Sequence, residues 1–169
     1  MLKLYLRMHG CKVGKGLKCK SWPIFRGLPN KNIYIGDHVG IGYNITFEPF
    51  GKGIIIIRDY VNLTQNIIIS ASDKVYIGNH SGVAEYVSIR DNEHKVSKDK
   101  PWRLQETFAS PVWIGDDVGI GLGCAILRGA RIEDGAIIGA HSIITRNTKI
   151  VKNGIYFGFP LKMIGKRTY

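Results

Sequence analysis

The string Ile89-Arg90-Asp91-Asn92-Glu93-His94 ends in the group of this 169-residue chain best suited to moving a proton. An imidazole, with a reference pKa of ~6.5, takes a proton near neutrality and can give it back. Asp91, Glu93 or a backbone carbonyl could each orient its ring, and spacing alone does not choose among them. A zinc hydratase would need three imidazoles around its metal, and no second histidine stands near His94, so no metal is expected. His38, His80 and His141 each follow an isoleucine by three residues and are expected at structural, solvent-facing positions; His9 lies outside any recognisable pattern. GIGLG looks like half a dinucleotide fingerprint, but no strand–helix unit follows it, and there is no G-x-S-x-G elbow.

Charge narrows the partners. The formal net charge is +11, and no acidic residue precedes Asp37, whereas Lys3, Arg7, Lys12, Lys15, Lys18, Lys20 and Arg26 do. Such an excess draws polyanions: nucleic acid, anionic lipid or a phosphate-bearing cofactor. No nucleic-acid module accompanies it, so no nucleic-acid partner is expected, while peripheral contact with an anionic membrane is. Cys11, Cys19 and Cys124 make no even framework and no C-x-x-C pair, which predicts a reducing compartment, the cytoplasm. The longest apolar run, Ile54–Ile57, is far below the ~20 residues of a membrane span, and the N-terminus does not read as a signal peptide.

The elements that must position these groups follow from a repeat. Isoleucine recurs every sixth residue at 114, 120, 126, 132, 138, 144 and 150, and small or β-branched residues stand four places after the first six. Six fits neither a helix nor simple strand alternation. It fits a coil of three short strands, one side chain per strand pointing inward and stacking on the coil below. Gly115, Gly121 and Gly139 follow inward isoleucines and are expected to turn the corners with positive φ. Earlier coils comprise Ile35, Ile41 and Phe47, then Ile57, Leu63 and Ile69, then Ile77, Val83 and Ile89. Against a coil of eighteen, four extra residues separate Ile35 from Ile57, two separate Ile57 from Ile77, and nineteen follow Ile89. The long insertion, holding His94, is expected to be functional. Residues 1–30 form a basic N-terminal cap with an irregular first coil, 31–165 the β-helix with its inserted loop at about 90–110, and 166–169 a tail.

PVWIGDDVGIGLGCAILRGARIEDGAIIGAHSIITRN, followed by GFPLKMI, resembles the repeat run and closing segment of the hexapeptide-repeat acyltransferases, over roughly residues 31 to 165. The resemblance implies an all-β, left-handed parallel β-helix, and a homotrimer with active sites between subunits. It implies acetyl transfer from acetyl-CoA to a sugar or glycan hydroxyl, as in surface-polysaccharide decoration, with His94 as general base. It further implies that Ala140, Thr145, Arg146 and Lys162 meet coenzyme A, and that Asn62 contacts donor or acceptor, although two extra residues blur the register around it. N-acetylation of an amino-sugar nucleotide and a non-catalytic scaffold are the rival readings. One departure stands out: Val118-Gly119-Ile120-Gly121 lacks the tryptophan of the family's cleft, Leu122 replaces a small residue, and Trp113 belongs to a different edge.

Overall fold

Inward residues spaced by six give the chain three flat faces. The computed structural model describes residues 1–168; Tyr169, last in the expected tail, lies outside the described residues. On the first face the strands Lys12–Val13, Ile33–Ile35, Ile54–Ile57, Lys74–Ile77, Val112–Ile114 and Arg131–Ile132 pair in parallel. The second face stacks Lys18–Cys19, Gly40–Tyr43, Asn62–Gln65, Gly82–Val83, Gly119–Ile120, Ile137–Ile138 and Gly154–Phe157. The third stacks Ile24–Phe25, Thr46–Pro49, Ile68–Ala71, Ser88–Arg90, Ala125–Ile126 and Ile143–Ile144. The result is a parallel β-helix.

Its core is a set of columns. Ile35, Ile57, Ile77, Ile114 and Ile132 stand in register up the first face and are all buried. The residues four places on, among them Val39, Val61, Val118, Ala130 and Ala136, fill the inner corners. Each fully buried isoleucine contributes about 1.5–3 kcal/mol of transfer free energy, repeated coil after coil.

The corner glycines work differently from expectation. Gly115, Gly121 and Gly139 do not have positive φ; the left-handed residue falls two places later, at Asp117, Gly123 and His141. His38, Asn44, Tyr60, Asn66, His80 and Tyr86 repeat that placement in earlier coils. What Gly115, Gly121 and Gly139 supply is space, since an added Cβ would collide with Asp134 Oδ1, the Ala140 nitrogen and the Phe157 ring respectively. Beside Gly115 a ladder climbs the corner. Backbone N–H groups of Lys15, Asp37, Asp59, Asn79 and Asp116 donate to the side chains of Asp37, Asp59, Asn79, Asp116 and Asp134 one coil up, at 2.7–3.2 Å. On the same corner the rings of His38, Tyr60 and His80 stack at 4.9 and 4.8 Å, a structural use of two histidines.

Every extra residue leaves at one corner, between the third face and the first. Phe47 and Ile69 remain in register, as do Ile69 and Ile89, so the four, two and nineteen extra residues all follow third-face strands. The register around Asn62 is therefore not blurred: it sits directly between Gly40 and Gly82. Both ends are closed. The helix Leu2–Met8 buries Leu2 and Leu6 against the first coil, and the strand Lys162–Lys166 reverses to run antiparallel to Gly154–Phe157. Among the described residues no helix is long and apolar enough to cross a membrane.

Candidate active site

His94 ends a short strand, Asn92–His94, that pairs antiparallel with Thr107–Ala109 and lifts the inserted loop off the prism. The ring is exposed, tilted against Trp102 at 4.7 Å, with Nδ1 3.4 Å from the Gln105 carbonyl. A carbonyl only accepts, so Nδ1 is the donor in this contact, which leaves Nε2 as the ring nitrogen not engaged by it. Gln105 is itself held: its buried side-chain amide donates to the carbonyls of Ser97 (3.1 Å) and Lys100 (2.7 Å).

The two carboxylates do other work. Asp91 is buried and accepts the N–H groups of Ser72 and Asp73, one on each oxygen, at 2.8 Å. Glu93 pairs with Arg128 at 3.3 Å, and Arg128, its side chain only 10% exposed, lies 4.1 Å under the Phe108 ring and donates to Ser110 Oγ. These contacts tie both strands of the loop to the coil above. At the loop's root a second anchor holds Arg90 and Arg26 on the buried carboxylate of Glu48, at 3.5 and 2.7 Å.

The second face carries the other half of the site. Its outward positions form two columns, Gly40-Asn62-Gly82-Gly119 and Gly42-Thr64-Ala84-Gly121-Gly139, six of the nine being glycine. They floor a trough of about 490 Å³ from Asn62 to Gly139, with Ile137 and Ile138 on its upper wall. A Cβ on Gly82 would meet nothing within 4 Å. At Gly119, where the expected cleft tryptophan is missing, an added Cβ would meet the Ile137 side chain at 2.9 Å. Trp113 does not compensate, being stacked on Tyr76 at 3.9 Å on the first face.

At the trough's edge the carbonyl of Gly139 accepts from Ser142 Oγ (2.7 Å) and Cys124 Sγ (3.2 Å), which pins this peptide. Burial pushes the Cys124 thiol up, so it stays protonated and able to donate. The next N–H, that of Ala140, donates to no carbonyl of the described residues and lies against the bare face of Gly121.

The six residues singled out in the sequence thus fall into two groups. Asn62 lines the trough; Ala140 follows Gly139 at its edge, and Lys162 pairs with Phe157, whose ring lies beside Gly139. His94, Thr145 and Arg146 line the corner where the loop leaves; Arg146 packs over Gly129, which itself neighbours Ser110. Thr145 closes a turn, its hydroxyl accepting from Asn147 N–H (3.2 Å), and faces a cavity of about 700 Å³ under Phe159–Leu161. That corner is opposite the second face, so one chain does not bring the two groups together. Gln105 and Arg128 were not foreseen; the former acts through its backbone, which no residue type announces. No group of three His, Cys, Asp or Glu that could hold a metal occurs among the described residues.

No family model matches the chain. It is 28% identical over 143 residues to WbbJ of Escherichia coli K12, named for O-acetyl transfer in lipopolysaccharide biosynthesis, covering 80% of this chain and 72% of WbbJ. It is 26% identical over 178 residues to the dTDP-4-amino-4,6-dideoxy-D-glucose acyltransferase of E. coli, covering 98% and 88%. Its backbone matches AntD, an N-acyltransferase from Bacillus cereus solved with dTDP and 3-hydroxybutyryl-CoA, with a TM-score of 0.81 at 18% identity over 98% and 88% of the chains. The parallel β-solenoid and these acetyl- and acyltransferase relatives are consistent with the hexapeptide-repeat acyltransferases. The prism matches the expected left-handed β-helix. The glycine-floored trough is open and lined by no charged residue.

Proposed function

We propose that the protein is an O-acetyltransferase that moves acetyl from acetyl-CoA to a hydroxyl of a sugar or surface-polysaccharide precursor, in a homotrimer with its sites between subunits. The observation that carries this reading is the division of the site. His94 rises from one corner at the axial level of Gly82, and the trough lies on the opposite face at the same level. Neighbours packed in parallel about an axis along the prism would set the loop of one chain over the trough of the next, with Asn62 one coil, about 4.8 Å, below.

Acetyl-CoA supplies an acetyl group activated as a thioester. His94 Nε2 takes the proton of the acceptor hydroxyl as that oxygen attacks, and returns it to the departing sulfur, so no covalent enzyme adduct is needed. Gln105 keeps the ring in the tautomer that can do this. The Ala140 N–H is available to the donor arm in the trough, while Thr145, Arg146 and Lys162 meet its nucleotide end, the two cations suiting phosphate. Asn62 holds the reacting groups at the junction. A soluble sugar precursor or one at a lipid surface would both suit, and the basic N-terminal end favours a peripheral membrane contact inside the cell.

Mixing two inactive variants tests the arrangement. His94→Ala lacks the base, and Gly82→Trp fills the trough without touching the core. Trimers assembled from both should recover activity with labelled acetyl-CoA, because one interface then keeps an intact loop and an intact trough. Failure of mixed trimers to gain activity over either parent would argue for sites within single chains. Parallel assays with hydroxyl and amino acceptors separate O- from N-transfer.

A further inference from the structure

Below Asn62 the second face changes character. The two glycine columns each end in a lysine, Lys18 beneath Gly40 and Lys20 beneath Gly42. Their backbones are fixed by N–H bonds to Val39 and Ile41 at 2.9 and 2.8 Å, so both side chains leave the sheet in line with the trough floor. They border a cavity of about 270 Å³ that shares Asn62 and Thr64 with the trough above. Lys20 also borders the next cavity down, about 420 Å³, with Lys3 and Trp22. No acidic residue lines any of the three, and neither Lys18 nor Lys20 enters an ion pair among the described residues. The face is thus neutral where the donor arm would lie, polar at Asn62, and cationic beyond it.

Resting on the acetyltransferase reading, we propose that the acceptor sugar is diphosphate-linked, its diphosphate held by Lys18 and Lys20 and its sugar hydroxyl presented upward at Asn62. Two ammonium groups on adjacent columns match the two charges and several acceptor oxygens of a diphosphate. A neutral sugar would leave both unused. The group beyond the diphosphate would enter the lower cavity, where Trp22 offers a flat apolar surface that suits a nucleoside base or the start of a lipid chain.

The test is calorimetry on the wild-type protein saturated with coenzyme A, titrated with pyrophosphate, UDP and farnesyl diphosphate. Pyrophosphate should bind. Tighter binding of UDP assigns a nucleotide-linked acceptor, tighter binding of farnesyl diphosphate a lipid-linked one. Lys18→Ala and Lys20→Ala should each weaken these ligands about tenfold, with partial rescue by Lys→Arg, and leave coenzyme A affinity unchanged. If coenzyme A binds but none of the three diphosphates does, or the double alanine variant binds them like wild type, the inference is overturned while the acetyltransferase reading stands. If coenzyme A itself fails to bind, that reading falls first.

Discussion

The corner that bears His94 and the face that bears the trough are built on opposite plans. The corner is made of side chains: a salt link from Glu93 to Arg128, a guanidinium under Phe108, a carboxamide folded back on its own loop. The face is made of main chain, its surface left bare by Gly82, Gly119, Gly121 and Gly139. In the proposed reaction the corner would act through what its residues carry, the face through what its residues omit. Substitution by alanine should therefore disable the corner and leave the face almost untouched, whereas enlargement should do the reverse.

The largest expected effect is at His94. His94→Ala should lower kcat by roughly 10²–10⁴-fold with coenzyme A binding and melting temperature unchanged. A folded variant that acetylates at the wild-type rate would falsify the assignment. Enlarging the face comes next. Gly82→Trp should cut coenzyme A affinity by about a hundredfold in calorimetry while the melting temperature holds, because its side chain projects into open space. Gly82→Ala should be close to silent, and a large effect from it would blur the contrast between the two regions.

A smaller effect is expected from Arg128→Ala, which frees Glu93 and Phe108 without removing the base. We expect kcat to fall about tenfold with little change in KM, and Arg128→Lys to recover only part of it, since an ammonium lacks the planar fork. The smallest should come from Arg146→Ala and Lys162→Ala, each weakening coenzyme A a few-fold and more than dephospho-coenzyme A. Equal affinities in all proteins would remove these two cations from the donor site.

How much of this was legible beforehand follows the same division. The isoleucines from Ile114 to Ile150 recur every six residues without interruption, so the coiled fold and the place of the long insertion could be worked out from spacing. Asn62 was harder, because an interval of twenty between Ile57 and Ile77 does not say where two extra residues leave; the strand pairing puts them after Ile69. The corner glycines were assigned the wrong task, since conformation and clearance both favour glycine and only coordinates separate them. Asp91 was a plausible partner for His94 by proximity in sequence, yet burial turns it toward the N–H groups of Ser72 and Asp73. The carbonyl that does face the imidazole belongs to Gln105, eleven residues away, and no side-chain pattern encodes it.

The reversed strand Lys162–Lys166 bears on something other than chemistry. A coil that pairs in parallel with its neighbours offers the same unsatisfied edge after every turn, and nothing in the six-residue rule tells it to stop. Turning the last segment antiparallel against Gly154–Phe157 presents an edge of opposite polarity, on which another coil of this register does not stack. At the other end Leu2–Met8 covers the first coil with a helix, which has no free ladder to offer. The second face thus offers no parallel edge at its last strand, and the helix covers the coil at the opposite tip.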